Sequence, residues 1–211
     1  MRVTYWVSAI AVGLALLLTG SVSDARAGKP TGPVRVLIRT DQGDVEVELD
    51  AAKAPATVAN FLKYVDGGFY DGGTINRSVR ADNTTRHDVK IEVIQFQIDS
   101  ARRRDQFAPI PLERTSVTGL RHGDGAVSMA RSGPDTARAS FFIVIGNQPE
   151  LDYGGKRNPD GQGFAVVGRV VGGQDVVRAI HRSPTGQRGS YGTETLEPPI
   201  KVVKALRIAN R

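Results

Sequence analysis

From Val34 to Ile208 the apolar runs are short, and Gly, Pro, Asn or Asp interrupts nearly every one of them. A chain punctuated in this way reverses direction often, which favours short strands joined by turns over an architecture of long helices. With 24 Gly and 11 Pro among 211 residues the turns are plentiful, and a hydrophobic share of 40% still supplies a core. The length fits one domain, and no internal repeat of solenoid or propeller period is visible.

Two strands are expected first, Val34 to Arg39 and Val45 to Leu49, the second alternating apolar and acidic residues with period two. Asp41-Gln42-Gly43-Asp44 between them supplies a turn, so the pair reads as a β-hairpin with one buried face. From Pro55 to Val65 the period changes: Val58, Phe61, Leu62 and Val65 form the stripe of an amphipathic helix that Gly67-Gly68 closes. Further strands are expected at Val89 to Ile94, Gly125 to Ala130, Ser140 to Ile145, Gly163 to Val171 and Ile200 to Ile208, with a short helix from Gln174 to His181. About eight short strands with two helices point to an antiparallel barrel whose ends are plugged by helices.

The first 27 residues read as an address. Arg2 gives a positive start, Val7 to Leu18 is an apolar run, and Ala25-Arg26-Ala27 places small residues before Gly28 as a cleavage site. The expected division is therefore a signal peptide at 1–27, a Gly/Pro linker at 28–33, the domain at 34–208 and a tail at 209–211, in a periplasmic or secreted protein. An uncleaved anchor is the alternative, and after cleavage no membrane segment is expected. Removing Arg2, Asp24 and Arg26 takes the net charge from +6 to +5. The 21 arginines and 7 lysines are scattered apart from Arg102-Arg103-Arg104, so no nucleic-acid partner is expected.

Zero cysteines exclude disulfides, thiolate metal sites and a cysteine nucleophile. His87, His122 and His181 are too far apart in sequence for a metal motif and are expected at the surface or in loops, and no metal site is assigned. There is no G-x-S-x-G, Walker loop or H-E-x-x-H string. Asn158-Pro159-Asp160-Gly161 lacks the remaining ligands of a calcium loop and reads as a tight turn. The chemistry has to come from somewhere other than the usual catalytic side chains.

Three ordered strings are the remaining signal. GDVEVELDAAKAPATVANFLKYVDGGFYDGGTINRSV, then GAVSMARSGPDTARASFFIVI, then PELDYGGKRNPDGQGFAVVGRVVGGQDVVRAI resemble the cyclophilin family of peptidyl-prolyl cis-trans isomerases over nearly all of Val34 to Ile208. The resemblance implies a mainly β fold, an eight-stranded antiparallel closed barrel capped by two α-helices. It implies an enzyme without a cofactor that acts on proline-containing polypeptides as a monomer. Arg77 corresponds to the family's catalytic arginine, and Phe142 and Met129 to its pocket phenylalanine and methionine. Gln95 corresponds to the bracing glutamine, Phe164 to the residue beside the proline ring, and Leu151 to a neighbour in the substrate site. Ala130 and Arg131 occupy the place where the backbone pairs with substrate. The spacing departs from the family at one point: Arg77 and Gln95 are 18 residues apart, about ten more than usual, with the extra residues around Arg80 to Lys90. Glu150 stands where a rim tryptophan is frequent, and Glu92 where a pocket phenylalanine is usual. These substitutions leave open a catalytically weak peptide-binding module or chaperone on the same barrel.

Overall fold

A computed structural model describes residue 1, residues 33–84 and residues 86–209. Apart from residue 1, the expected signal lies outside these residues, as do 28–32 of the linker and 210–211 of the tail. The elements are β1 (Val34–Thr40), β2 (Gly43–Leu49), α1 (Pro55–Asp66), β3 (Thr74–Val79), β4 (Val93–Gln97), α2 (Thr115–Thr118), β5 (Ala126–Met129), β6 (Phe141–Val144), β7 (Ala165–Gly172), α3 (Gln174–His181), β8 (Thr185–Gly186) and β9 (Thr195–Ile208). All pairings are antiparallel, in the order β1-β2-β7-β5-β6-β4-β3-β9, and β9 returns to pair with β1. The wall is thus an eight-stranded closed barrel, and the two-residue β8 is an appendage on β9. Closure leaves no free edge, which is how an all-antiparallel fold of this size avoids pairing with other chains.

The first hairpin forms because β1 and β2 bury alternate residues: Val36, Ile38, Val45, Val47 and Leu49 face inward, while Glu46 and Glu48 do not. Helix α1 buries the expected stripe of Val58, Phe61, Leu62 and Val65, and Tyr64 joins it. Pro55 suits its first turn, but Ala54 offers no side-chain cap. Glu113 from a distant loop does the capping, accepting from the Ala56 and Thr57 amides at 3.1 and 2.7 Å and from the Thr57 hydroxyl at 2.6 Å. Helix α1 packs on β7 and β9, and α3 on β2, β3 and β4. In the interior Phe61, Tyr70, Phe96 and Phe141 meet in stacked, tilted and edge-on contacts, with Phe96 over Phe141 at 4.4 Å between ring centres. Each such fully buried ring contributes roughly 1.5–3 kcal/mol.

Two expectations about elements are corrected. The strand expected at Val89 to Ile94 is Val93–Gln97, because Gln95 and Gln97 occupy outward positions of a strand whose inward residues are Ile94 and Phe96. Val89 and Ile91 are instead buried in the loop before it. The other correction is β3, a strand that sequence periodicity does not reveal.

Candidate active site

Period two sorts the residues of β3 to β7 into two apolar clusters on opposite sides of the barrel wall. Ile75, Ile94, Phe96, Met129, Phe141 and Ile143 point into the barrel. Val79, Val93, Phe142, Val144, Phe164 and Val166 point out of it, joined by Ile91 and Leu151 from loops. The outer cluster floors a cleft of about 260 Å³ that also meets Arg77, Gln95, Ala130, Arg131, Arg86, Arg157 and Asn158. A bigger hollow of about 570 Å³ lies between the segments 48–53 and 120–124, but no aromatic ring lines it.

Arg77 reaches the cleft through a bulge. Ile75 pairs with Phe96 and Arg77 with Gln95, so Asn76 is an extra residue in β3. In a regular strand Ile75 and Arg77, two residues apart, would share a face, and the guanidinium would point into the apolar interior; the bulge turns it outward. The long insertion between Arg77 and Gln95 is therefore a loop that leaves the two side by side, and Arg77 Nη1 donates to Gln95 Oε1 at 3.1 Å.

The other side of the guanidinium is held by a residue the sequence reading did not single out. Glu194, 4% exposed, accepts from Arg77 Nε at 2.8 Å and from Nη2 at 2.6 Å through Oε2. It comes from a single 3-10 turn, Gly192–Glu194, just before β9, and the neighbouring Tyr191 ring lies 4.8 Å from the guanidinium carbon. Of the five N–H groups of Arg77, three are engaged and two, one on each terminal nitrogen, have no partner among the described residues.

Phe142 and Phe164 stand edge-to-face, 5.2 Å apart at 87°, and make two walls of an apolar hollow. Phe164 is aimed by Gly163, whose φ of +65° and contact with the Asp152 backbone, 2.5 Å from where a Cβ would sit, admit only glycine. Leu151 is 1% exposed, lines the same hollow, and accepts the Phe164 amide through its carbonyl at 3.0 Å. The Ala130 amide is engaged by the Ser140 carbonyl at 2.9 Å. Arg131 packs over the Phe164 ring, donates to the Gly163 carbonyl at 2.7 Å and forms a bidentate pair with Asp160 at 2.7 and 2.9 Å. That pairing holds the Asp160 carboxyl down at about 2.

Met129 is not brought to the cleft. On β5 the outward positions are Ala126 and Ser128, and alternation sends Val127 and Met129 into the barrel core, where Met129 is 1% exposed. Val93, one pleat from Gln95, lines the cleft. Glu150 does not line the cleft either: its carboxylate accepts the Lys156 amide at 2.8 Å and its carbonyl the Arg157 amide at 3.1 Å, which ties down the loop that follows.

The expectation of surface or loop positions holds for His87, which is exposed, and for His122, which is in a loop though buried, and is corrected for His181. His181 ends α3 and is buried, its Nε2 3.0 Å from the Val79 carbonyl. His122 lies under the cleft floor, stacked on Phe142 and edge-on to Phe164. Its Nδ1 is 2.7 Å from Asp152 Oδ1 and its Nε2 2.9 Å from Ser128 Oγ, which also reaches the Ala165 carbonyl at 3.0 Å. This order of groups resembles a nucleophilic relay, but Ser128 is fully buried and its hydroxyl cannot meet a substrate, so the three brace the rings above them. Burial pushes the His122 and His181 imidazoles below their ordinary value. Burial alone would raise the Asp152 carboxyl, but the hydrogen bonds from His122 outweigh it and hold the group low. Among the described residues no cluster of His, Asp or Glu is arranged to hold a metal ion.

Comparison with known proteins places these features in context. The sequence model of the family described as cyclophilin type peptidyl-prolyl cis-trans isomerase/CLD matches residues 35–206. A peptidyl-prolyl cis-trans isomerase of Streptomyces antibioticus is 37% identical over 78% of this chain and 93% of its own length. Isomerase A of Dickeya dadantii is 31% identical over 82% of this chain and 87% of its own. The crystal structure of a cyclophilin type isomerase from Cryptosporidium parvum aligns with a TM-score of 0.67 at 18% identity, covering 85% of this chain and all of that one. A second structure of that protein, solved in the presence of the dipeptide Ala-Pro, aligns at 0.66 and 18% identity over 83% of this chain and 99% of its own.

Proposed function

The chain belongs to the cyclophilin-type peptidyl-prolyl cis-trans isomerase family, and from that premise we propose that Arg77 is the electrostatic catalyst of X-Pro rotation in the cleft outside the barrel. Phe142, Phe164 and Leu151 seat the proline ring, and Gln95 braces both the arginine and the peptide. Ala130 and Arg131 offer the backbone along which the peptide lies; with the Ala130 amide already engaged, the Ala130 carbonyl and the Arg131 amide are the groups for that pairing.

Rotation about an X-Pro bond breaks no covalent bond, so neither a nucleophile nor a cofactor is needed. The barrier, roughly 18–20 kcal/mol, is the loss of amide resonance. As the C–N bond turns, the proline nitrogen becomes pyramidal and recovers a lone pair. A guanidinium N–H aimed at that lone pair binds the twisted state better than either planar isomer. The two unengaged N–H groups of Arg77 supply the donor, and the bonds from Glu194 and Gln95 fix its plane before substrate arrives. Lowering the barrier by about 5 kcal/mol gives a gain of several thousandfold.

The observation that carries this reading is the Arg77 guanidinium beside the Phe142 and Phe164 hollow in one cleft. The Cryptosporidium protein solved in the presence of Ala-Pro supports a proline ligand. We further place its work outside the cytoplasm, on exported chains during folding, as the Val7 to Leu18 run and the Ala25-Arg26-Ala27 string support. A protease-coupled assay on a short proline peptide tests the activity: a rate well above the uncatalysed reaction is expected. Peptide binding with no such rate would leave only a binding module.

A further inference from the structure

Four guanidiniums line the cleft, and their counter-ions are unequal. Arg77 is paired with Glu194, Arg86 with Asp88 at 2.8 Å, and Arg131 with Asp160. Arg157 has no carboxylate within pairing distance among the described residues, although it is 8% exposed. Its Nη1 donates to the Val89 carbonyl at 3.0 Å, and its own carbonyl accepts Arg86 Nη1 at 2.7 Å. The loop of residues 80–92 and the loop of residues 153–163 thereby clasp each other along one wall of the cleft. Beside it, Asn158 Nδ2 is a buried donor with no acceptor among the described residues. Burial and the charges of Arg86 and Arg77 hold the Arg157 pKa below its ordinary value, and Glu194 and Asp88 offset only part of this.

A buried cation without a carboxylate partner and a buried amide donor without an acceptor, sharing a wall with a ligand cleft, are a half-made anion site. Arginine stays charged at any working pH, so the missing half has to be an anion that enters from the cleft. We propose that Arg157, with Asn158 Nδ2 and the field of Arg86, forms a subsite for a substrate carboxylate, so that the enzyme prefers X-Pro segments carrying Asp or Glu next to the proline. This rests on the isomerase reading of the same cleft and names the substrate class within it. The fork of Arg157 suits a carboxylate side chain, and its place beside the Phe142 and Phe164 hollow puts that side chain close to the reacting bond.

The test is a set of matched peptides, Glu against Gln immediately before proline, and Glu against Gln immediately after it. The expected result is a kcat/KM about fivefold or more higher for the acidic member of one pair, narrowing in about 0.5 M salt. In Arg157→Gln that ratio falls to about one, whatever the absolute rates, and in Asn158→Ala it falls part of the way. Should Arg157→Gln fail to fold, Arg157→Lys and Asn158→Ala carry the test through the same ratio. Equal rates within both pairs for the wild type would overturn the subsite, as would a preference that persists unchanged in Arg157→Gln. No rate on any of the four peptides would instead remove the isomerase reading, so the two failures are distinguishable.

Discussion

Along β4 and β6 successive residues belong to different parts of the molecule: Ile94, Phe96, Phe141 and Ile143 fill the barrel, while Val93, Gln95, Phe142 and Val144 face outward beneath the cleft. Inside, the contacts are aromatic and aliphatic and hold the wall together. Outside, a smaller apolar floor is ringed by guanidiniums and carboxylates, and the His122, Ser128 and Asp152 network braces it from beneath. The inner face sets stability, and the outer face uses part of the same burial to position a charge. Adjacent residues with similar burial should therefore respond differently when changed.

The sharpest contrast is between two neighbouring phenylalanines. Phe141→Ala removes a ring stacked on Phe96 and edge-on to Phe61 and Tyr70, and should destabilise the protein by about 3–5 kcal/mol in urea unfolding. Phe142→Ala should cost roughly 1–3 kcal/mol, with a KM for proline peptides raised about tenfold. Equal effects on stability and KM would erase the distinction between the faces.

Glu194→Gln comes next. A neutral amide keeps the shape but weakens the two bonds that fix the Arg77 plane, so kcat should fall about tenfold while KM and the melting temperature change little. A rate that rises would mean that the carboxylate damps the guanidinium, and positioning would be the wrong account of it.

The smallest effect is on pH dependence. His122 and His181 are buried and kept neutral in the folded state, whereas the unfolded chain protonates near the ordinary histidine value. The unfolded state then binds more protons below about pH 6.5, so stability is full above that value and declines as pH falls through it towards the lower folded values. Between about pH 7.5 and 5.5 the urea midpoint should therefore drop as pH falls. A flat midpoint over that range would show that these imidazoles are not held neutral.

Much of the inner face was legible in the sequence, because burial there follows the period of each element: the first hairpin, the α1 stripe and β6 read directly from the residues. The strand β3 did not, since its alternation is interrupted by the bulge at Asn76, the same irregularity that turns Arg77 towards the cleft. Arg77, Phe142 and Phe164 are picked out by three ordered strings rather than by periodicity, and Gln95, which lies outside those strings, by its correspondence to the family's bracing glutamine across the insertion. Met129 was misplaced because an apolar residue on a strand buried on both faces has no sign that tells inside from outside, and only register supplies it. Glu194 carries no local mark: it lies 117 residues from Arg77 in a single turn, and only the closure of β3 against β9 brings the two together. His122 looked ordinary for the same reason, its partners Ser128 and Asp152 being set by pairing and loop path.

The central claim is that one guanidinium on the outer face lowers the barrier without holding the fold. The direct test is to measure kcat/KM and the melting temperature of Arg77→Ala together. A loss of at least about a hundredfold in rate, equivalent to about 2.7 kcal/mol of transition-state stabilisation, with a melting temperature within a few degrees of wild type, is the expected result. An unchanged rate in the folded variant would contradict it.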